Sequence, residues 1–442
     1  YNNTVDLIQL EYSNLARSSV SSRHILQELQ IEIHEDCDWL RRFLFTSQSL
    51  DGTSSKSENA IVATGEKISS KILVAVLLDQ GISAEFISIE EIESRIDSDD
   101  ENQFIRSFSA AIADRIKECG SRIPVVTGFF GHNDGAHSLE VGFAEFLSAT
   151  LAVGLNASEL QVWKTTDGIF TADPAKIRSA RLIENISRME AAELAHHGHP
   201  VVSTFTLEQV SKRDIPIRLK NVNDPLGDGT IIQPDLTYLN QNNDYGPWWV
   251  KEAPSTPSID RLHWRRPTTI VINESILMIS LSSFGAVPSS AFLADVFDTL
   301  HAYGIPLDFV TTNHNHIGLA FEDRFAEGEI ERLADELSRL GKIVVQFRMA
   351  ILTLVGDQMR SSSGVSGHFF SMLVQGGVHV EMIGSASDIS MSCVIHEGDT
   401  TKALRLIHQT TFRKLDVKKV SVNIDVILFT IRTALIMPIQ KI

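Results

Sequence analysis

One stretch, Leu160-Gln161-Val162-Trp163-Lys164-Thr165-Thr166-Asp167-Gly168, decides the fold, because its Asp-Gly pair follows a short predicted strand. Two earlier segments repeat this arrangement: Gly65-Glu66 ends the apolar run 60–63, and Gly128 to Gly131 ends the apolar strand that begins at Ile123. Helical patterns separate these segments. Strands that alternate with helices predict a mainly parallel α/β sheet, in which ligands collect at the carboxyl ends of the strands.

The remaining elements of the first half are predicted from periodicity. Residues 1–50 repeat their apolar positions at helical spacing and predict two surface helices, whereas the polar, Ser-rich segment 50–58 predicts a loop. A helix is expected to follow Glu66 through Leu78. Residues 85–89 alternate as a strand does, and residues 103–118 predict an amphipathic helix.

The length of 442 residues implies more than one domain, because a single core stops growing at roughly 250 to 300 residues. Residues 233–266 are rich in Asn, Pro, Trp and Ser and predict a linker. We therefore divide the chain into an α/β domain at 1–232, the linker, two modules at 267–345 and 346–415, and a tail at 416–442.

The two modules have the same predicted pattern, β-α-β-β-α, with a closing strand exchanged between them. In the first module the strands lie at 270–281 and 306–321 and the helices at 289–303 and 327–340; in the second the strands lie at 350–355 and 377–395 and the helices at 364–376 and 399–412. This indicates an internal duplication of ferredoxin-like modules, because pairing of the modules covers exposed sheet edges. Paired modules often form a ligand site at their interface.

Composition excludes several classes of protein. Hydrophobic residues make up 43% and charged residues 21%, which is typical of globular proteins. A net charge of -17 disfavours binding to nucleic acid or to an anionic membrane. The three widely spaced cysteines predict neither a disulfide framework nor a zinc site, so we expect a reducing, cytoplasmic compartment. No signal peptide is recognised, and the apolar run 420–439 is interrupted by Asp425 and Arg432, which favours a buried strand or docking tail over a membrane span.

Four sequence blocks, in order, resemble a known family. They are Thr127-Gly128-Phe129-Phe130-Gly131, Leu160-Gln161-Val162-Trp163-Lys164, Asp167-Gly168-Ile169-Phe170-Thr171-Ala172-Asp173-Pro174 and Ile215-Pro216-Ile217-Arg218-Leu219-Lys220-Asn221. Together they resemble the fungal branch of the aspartokinases, enzymes of the amino-acid kinase family that phosphorylate the side-chain carboxylate of L-aspartate. The two C-terminal modules, with Leu354-Val355-Gly356 and Glu381-Met382-Ile383, resemble the ACT domains of that family. The resemblance covers about residues 1–412.

The resemblance implies ATP and Mg²⁺ as cofactors and a set of site residues. Glu66 corresponds to the substrate-facing glutamate and Glu145 to a catalytic aspartate, so both are candidate catalytic residues. The candidate nucleotide-binding residues are Lys164, Thr165, Phe170, Asp173 and Lys220. Lys220 is the strongest of these for a phosphate or adenine contact. Two purely structural alternatives stay open: Trp163 and Phe170 as core aromatics, and Asp173-Pro174 as turn chemistry.

The chain departs from the family where charge is needed. Transfer of a γ-phosphoryl group to a carboxylate brings anions together, so the site must supply positive charge and hydrogen-bond donors. The family's K-F-G-G-T-S strand, with its phosphate lysine, does not occur in this chain, which starts at Tyr1. In the block that carries the family's substrate arginine, Val141 stands at the arginine, Ala144 at a threonine and Glu145 at the aspartate. Thr165 and Ala175 replace an acid and an arginine on the nucleotide side.

Effector binding is implied in the first ACT-like module. Phe292, Leu293 and Asp308 stand where the family contacts its effector, and Asp308 suits an amino group. A helix core and a turn cap are the structural alternative. His314 and His379 replace a glutamate and an asparagine of the family, so the sequence does not predict a response to threonine.

Other patterns are weaker. His196, His197 and His199 resemble a metal cluster, but no carboxylate or cysteine stands in register with them, so no metal site is predicted. Gly135-Ala136-His137-Ser138 lacks the turn of a serine hydrolase. Three functions stay open: an aspartate kinase, a paralogue that acts on another small molecule in specialised metabolism, and a non-catalytic regulatory partner that dimerises through its ACT modules.

Overall fold

The computed structural model describes the chain in segments that fall into two compact units. The described residues are 2–50, 55–89, 92, 101–127, 143–198, 201–234, 267–285, 289–325, 328–357, 359, 364–385 and 387–412. The first unit contains the described residues up to 160 and residues 205–216, and the second contains 161–204 and 217–412. The predicted linker beyond residue 234, the segment Gly128 to Gly131, Val141, His199 and the tail after residue 412 lie outside the described residues.

The first unit begins with three packed helices, α1 (Asn2–Ser19), α2 (Arg23–Leu50) and α3 (Ser55–Asp79). The two predicted helices of residues 1–50 are confirmed. Their common core includes Leu29, Ile33 and Leu40. The carboxylate of Asp79 accepts hydrogen bonds from the backbone N–H groups of Ser21 and Ser22, at 2.9 and 2.8 Å, which joins the end of α3 to the turn between α1 and α2.

Two predictions for the segment that forms α3 are wrong. Residues 55–58 were predicted as loop and residues 60–63 as a short apolar run in a strand, yet both belong to α3. Thr64, Ile68 and Ile72 are buried at a spacing of four residues, which is the periodicity of one helix face. Packing of this face against α1 and α2 therefore decides the conformation of the whole segment, and Glu66 lies on a helix rather than at the end of a strand.

The rest of the first unit contains β1 (Ala84–Ile87), α4 (Glu101–Lys117), β2 (Ile123–Val126), α5 (Phe143–Leu155) and α7 (Thr204–Ser211). The strand predicted at 85–89, the helix predicted at 103–118 and the start of the strand at Ile123 are confirmed. Strands β1 and β2 pair in parallel. The hydrophobic core beside these strands includes Ile87 of β1, Phe108 of α4 and Leu147 of α5.

The second unit starts with a four-stranded sheet in the order β3-β5-β6-β4 and one helix. Its strands are β3 (Leu160–Lys164), β4 (Asn185–Ser187), β5 (Ile217–Asn221) and β6 (Thr230–Gln233), and the helix is α6 (Arg188–His196). Strands β4 and β6 pair in parallel, and β5 and β6 pair antiparallel. Val222 donates to the Lys164 carbonyl at 2.8 Å, which brings the carboxyl ends of β3 and β5 together.

The C-terminal modules share one six-stranded sheet in the order β11-β12-β10-β7-β9-β8. The strands are β7 (Thr269–Ser283), β8 (Phe309–Thr312), β9 (His316–Glu322), β10 (Gly341–Val355), β11 (Val380–Gly384) and β12 (Ser390–His396). The helices are α8 (Ser289–Ala302), α9 (Glu329–Ser338), α10 (Val365–Gln375) and α11 (Thr400–Thr411). The predicted β-α-β-β-α pattern is confirmed in both modules.

The fold is therefore α/β, with a kinase-like part that contains parallel pairs and a C-terminal part of two ACT-like modules. Strand β10 starts at Gly341 rather than at the predicted residue 350, because its first half pairs with β7. Within the described residues, none of the helices has the length and the apolar character that crossing a bilayer requires.

Candidate functional site

The first part of the candidate site is a cavity of about 540 Å³ inside the first unit. Glu66 lines it from α3, and Ala144 lines it from the start of α5. The structure thus brings together two positions, 66 and 144, that the sequence places 78 residues apart. By resemblance, Glu66 corresponds to the family's substrate-facing glutamate, and Ala144 replaces a threonine of the block that carries the substrate arginine. Val126, at the end of β2, is also in the lining, so the cavity lies at the carboxyl end of a parallel strand.

Several residues of this cavity were not predicted from the sequence. Tyr12 reaches it from α1, where its hydroxyl donates to the carbonyl of Gly65 at 3.2 Å. Ser69 and Ser70 follow Glu66 by three and four residues, so they share a face of α3 with it. Recognition of residues 60–66 as helix would have identified the two serines, whereas no local pattern identifies Tyr12.

Glu145 lies beside the cavity, in the first turn of α5. It is half-buried, and its backbone carbonyl accepts a hydrogen bond from the Ser148 hydroxyl at 3.0 Å. An acidic side chain in the first turn is favoured by the helix dipole, which accounts for an acid here without any catalytic role. Its candidate catalytic role therefore stays a prediction.

The second part of the candidate site is in the second unit, where β3 and β5 end. The Lys220 ammonium lies 5.2 Å from the centroid of the Trp163 ring and donates to the Pro225 carbonyl at 2.9 Å. Trp163 is 41% exposed, so the interpretation of this residue as a core aromatic is wrong. An exposed indole with a lysine over its face offers a flat apolar surface beside a positive charge.

Lys164 and Thr165 lie at the end of β3. The Lys164 ammonium donates to the Val201 carbonyl, and its own carbonyl accepts from Val222 at 2.8 Å. Thr165 is exposed. Beside them, Asn221 donates from its side-chain amide to the Asp167 carboxylate at 2.7 Å. The structure therefore brings Lys164, Thr165 and Lys220 to one edge of the sheet and adds Asp167 and Asn221, whose contact with each other the sequence did not predict.

Gly168 has to be glycine for this edge to form. Its φ is 143°, in the region that disfavours side chains, and a Cβ there would lie 2.4 Å from the Thr230 hydroxyl oxygen. That hydroxyl donates to the Ile183 carbonyl at 2.6 Å and accepts from the Ile169 N–H at 2.9 Å. The close approach fixes the path of the chain as it leaves β3.

Phe170 and Asp173 follow in the same segment. Phe170 is half-buried, and its carbonyl accepts from the Thr269 hydroxyl at 2.7 Å. The Asp173 carboxylate is exposed and accepts from the Ala175 N–H at 2.9 Å. This is the turn chemistry considered as an alternative for Asp173-Pro174, so the local sequence signal at Asp173 has a structural cause.

The effector candidates lie in the first ACT-like module. Phe292 is 3% exposed and packs in the core with Leu277 and Phe321, which matches the helix-core alternative. Leu293 packs against the same core at its edge. Asp308 is exposed just before β8, and its N–H donates to the Ala320 carbonyl at 3.1 Å. Only Leu293 and Asp308 are placed where a ligand from solvent reaches them.

One residue of the histidine cluster, His197, contacts polar side chains of the second unit. His197 is the C-cap residue that follows α6, and its imidazole lies 3.5 Å from the Thr353 hydroxyl and 3.7 Å from the Glu193 carboxylate. Burial lowers the pKa of His197, an effect that Glu193 partly offsets. Among the residues that the structure describes, no group of three or more His, Cys, Asp or Glu side chains is arranged to hold a metal ion.

Comparison with known proteins shows which family the chain is similar to. The profile of the amino acid kinase family matches residues 10–221, and that of an ACT domain matches residues 352–411. The aspartokinase of Schizosaccharomyces pombe is 36% identical over 94% of this chain and 81% of its own length. The aspartokinase of Saccharomyces cerevisiae is 30% identical over 92% of this chain and 79% of its own length.

Solved structures agree on the fold. The crystal structure of Escherichia coli aspartokinase III in complex with aspartate and ADP aligns with a TM-score of 0.65 and 21% identity over 91% of each chain. The Clostridium acetobutylicum aspartate kinase aligns with a TM-score of 0.69 and 20% identity, over 93% of this chain and 85% of that chain. At this level of identity the likeness concerns the fold.

Proposed function

Because this chain belongs to the aspartokinases, we propose that it uses ATP to phosphorylate the side-chain carboxylate of L-aspartate. The observation that carries the proposal is the similarity to fungal aspartokinases, 36% identity over 94% of the chain in one case, which extends through both the kinase-like part and the ACT-like modules. The two site regions support it, since Glu66 and Ala144 share one cavity and Lys164 and Lys220 share one sheet edge.

The chemistry assigns distinct roles to the two regions. Phosphoryl transfer needs cations on the nucleotide phosphates and a positioned acceptor. Lys220, with Trp163 beneath it, suits the nucleotide, and Lys164 and Asp173 lie in the segments next to it. Mg²⁺ that binds together with ATP would supply further positive charge at the phosphates. Glu66 suits the amino group of the acceptor, and Glu145 follows the lining residue Ala144 in the first turn of α5.

Aspartate binding is expected to be weak. Val141 stands where the family carries the arginine for the substrate carboxylate, and valine offers no donor. A hydrogen bond to a charged group contributes about 1.5 to 3 kcal/mol, so its loss weakens binding by about tenfold or more. We therefore expect a high KM for L-aspartate together with ordinary binding of Mg-ATP.

The direct test combines binding with turnover. Calorimetry with Mg-ATP and with L-aspartate separately measures the two affinities, and hydroxylamine trapping of the acyl phosphate measures the product. Acyl phosphate that forms only with both substrates supports the proposal. Binding of ATP without any acyl phosphate at saturating aspartate contradicts it.

Restoring the arginine gives a sharper test. Val141→Arg should tighten L-aspartate binding by about tenfold or more, because it returns a bidentate partner for a carboxylate. Leu155→Arg is the matched control: it adds the same charge at the last residue of α5, which is 38% exposed. Equal gains in both variants would show that net charge, and not the family position, governs the affinity.

A second function is favoured by the cavity itself. Ala144 replaces a threonine of the family and lines the cavity together with Leu147 and Leu151. Apolar walls suit a less polar ligand than aspartate, so the second candidate is a paralogue that transfers phosphate to another small molecule. Binding of Mg-ATP with no response to L-aspartate, together with turnover of a less polar acceptor, would favour this candidate.

Regulation and assembly follow from the C-terminal modules. We propose that the chain forms a homodimer through its ACT modules and that Leu293 and Asp308 contact an amino-acid effector. A non-catalytic regulatory role remains the alternative if neither ATP nor aspartate binds. Light scattering on the purified chain measures the subunit count, and a monomer at micromolar concentration contradicts the dimer.

A further inference from the structure

The loop that follows β5 has a tight, hydrogen-bonded backbone. It comprises residues 222–229, between β5 and β6, and is called the β5–β6 loop below. The Asp224 N–H donates to the Asn221 carbonyl at 3.2 Å, and the Gly227 N–H donates to the Asp224 carbonyl at 3.2 Å. Gly229 has a φ of 69°, and a Cβ there would lie 1.9 Å from the Leu219 carbonyl oxygen. The loop therefore folds back closely onto the strand that it leaves.

This loop holds the ammonium group of Lys220. The ammonium donates to the carbonyl oxygen of Pro225, in the middle of the loop, at 2.9 Å and lies 5.2 Å from the centroid of the Trp163 ring. A free lysine side chain samples many rotamers, and a fixed acceptor selects among them. The position of Pro225 therefore decides where the positive charge of Lys220 lies.

Apolar packing contributes little to the position of the loop. Val222 is 47% exposed and Leu226 is 90% exposed. Gly229, the last residue of the loop, is buried, whereas residues 222–228 are half-buried or exposed. A segment with few buried apolar contacts opens at a low cost in free energy. Polar contacts at the start of the loop must therefore hold it in place.

One such contact joins the loop to the segment that follows β3. The side-chain amide of Asn221 donates to the Asp167 carboxylate at 2.7 Å, and its side-chain oxygen accepts from the Asn223 N–H at 2.9 Å. A hydrogen bond to a carboxylate is stronger than one between neutral groups. Asp167 is itself fixed by the next residue, Gly168, whose close approach to Thr230 leaves no room for a Cβ. Asn221 thus ties the start of the loop to a fixed point.

We propose that Asp167 and Asn221 are positioning residues of the nucleotide site: their hydrogen bond holds the β5–β6 loop where Pro225 directs Lys220 toward the phosphates. The proposal rests on the nucleotide role given to Lys220 under the proposed function and adds the contacts that prepare this lysine. Both side chains act through Lys220 and do not touch the nucleotide.

Exchange of the two side chains gives the sharpest test. Asn221→Asp sets two carboxylates against each other, so Mg-ATP should bind about fivefold more weakly in calorimetry on the full chain. Asp167→Asn combined with Asn221→Asp restores a donor opposite an acceptor and the wild-type net charge, so binding should return to within about twofold of the wild type. No recovery in the double variant would overturn the proposal, because one of the two side chains would then act directly on the nucleotide or its metal ion.

A double-mutant cycle with Lys220 tests the route. Asp167→Ala should weaken Mg-ATP binding about fivefold and raise the KM for Mg-ATP, with kcat and the KM for L-aspartate unchanged. In Lys220→Met the same change should alter the affinity by no more than about twofold, because the group that it positions is gone. Equal losses with and without Lys220 would overturn the proposal.

The matched control is Asp228→Ala, which removes an exposed carboxylate from the same loop and should leave Mg-ATP binding unchanged. The Asp167–Asn221 hydrogen bond is exposed, so its loss should leave the free energy of unfolding within about 0.5 kcal/mol of the wild type. Urea unfolding of each variant checks this. A loss of stability that accounts for the weaker binding would overturn the positioning role.

These outcomes separate the positioning role from the proposed function. Acyl phosphate formed from L-aspartate, with equal Mg-ATP affinity in the wild type and Asn221→Asp, removes the positioning role and keeps the kinase. Mg-ATP binding that depends on the Asp167–Asn221 bond, without acyl phosphate, keeps the positioning role and removes aspartate as the acceptor. A wild type that does not bind Mg-ATP removes both.

Discussion

The Lys220 ammonium group has two interactions that hold it in place for contact with the phosphates of a nucleotide. Its ammonium lies over the Trp163 ring at 5.2 Å and gives one hydrogen bond to the Pro225 carbonyl at 2.9 Å. An ammonium group has three donors, so this bond leaves capacity for a phosphate oxygen. The contact with the indole contributes about 0.5 to 1 kcal/mol at an exposed site and restricts the side chain before the nucleotide arrives.

Replacement of this lysine gives the prediction at the residue scale. Lys220→Met keeps the length of the side chain but removes the charge, so Mg-ATP should bind about tenfold more weakly in calorimetry. Lys342→Met is the matched control, because Lys342 is an exposed residue of β10 in the ACT-like sheet. Equal affinities in the wild type and Lys220→Met would remove Lys220 from the nucleotide site.

At the scale of elements, α11 packs on the segment that follows β3 through a buried histidine. The His408 imidazole lies 3.0 Å from the Thr171 hydroxyl and 3.4 Å from the Ser179 hydroxyl, and it stacks on Phe412 at 5.1 Å. The Arg181 guanidinium donates to the Phe412 carbonyl at 2.7 Å. Burial, and then the charge of Arg181, lower the pKa of His408.

This contact predicts the pH dependence of stability. Because the folded-state pKa of His408 is below that of an unfolded histidine, about 6.5, the unfolded state binds more protons in mild acid. The contribution of neutral His408 is complete above that pH and is lost as the pH falls through the lower, folded pKa. Urea unfolding between pH 8 and 5.5 should show a falling free energy of unfolding, and His408→Gln should reduce the slope.

His301→Gln is the control for this series, since His301 is an exposed residue in the last turn of α8. It should leave the slope as in the wild type. His197, whose pKa burial also lowers, accounts for part of the slope that remains in His408→Gln. Parallel pH profiles for the wild type and His408→Gln would contradict the assignment to His408.

The elements also show which parts of the fold could be predicted from the sequence. Residues 267–412 were assigned closely because each strand and helix has its own periodicity and a short connection to the next. Residues 55–66 were not, because Ala60-Ile61-Val62-Ala63 is too short to tell a strand from a helix. Burial of Thr64, Ile68 and Ile72 against α1 and α2 settles the choice, and that information lies in distant residues.

The residues of the candidate site also differ in whether the sequence alone indicates them. Lys164 and Lys220 could be proposed from the sequence because each belongs to a contiguous block that resembles a family, and their role in nucleotide binding stays a prediction. Tyr12 and Ser69 were missed because they join the cavity only when α1 and α3 pack together. The side chain of Trp163 was misinterpreted, since local sequence does not distinguish an aromatic ring in a core from an exposed ring that packs against a lysine.

At the scale of the whole molecule, the two ACT-like modules are built on strands that belong to both. The second half of β7, residues 276–282, pairs with β9 of the first module, and its first half, 269–273, pairs with residues 351–355 of β10. Residues 349–355 of β10 also pair with β12 of the second module. Each module's part of the six-stranded sheet is therefore completed by a strand that continues into the other module, which confirms the predicted exchange.

Such shared strands predict that the two modules unfold as one cooperative unit. Leu352 is fully buried in β10, between Ile272 of β7 and Cys393 of β12, so Leu352→Ala should lower the free energy of unfolding by about 2 to 5 kcal/mol. Val344→Ala changes a residue of the same strand that is 48% exposed and should stay within about 0.5 kcal/mol of the wild type. Hydrogen exchange in Leu352→Ala should then accelerate to the same extent in β9 and in β12, because both belong to one sheet that depends on the shared strands β7 and β10. Acceleration confined to β12 would show instead that the first module holds its structure alone.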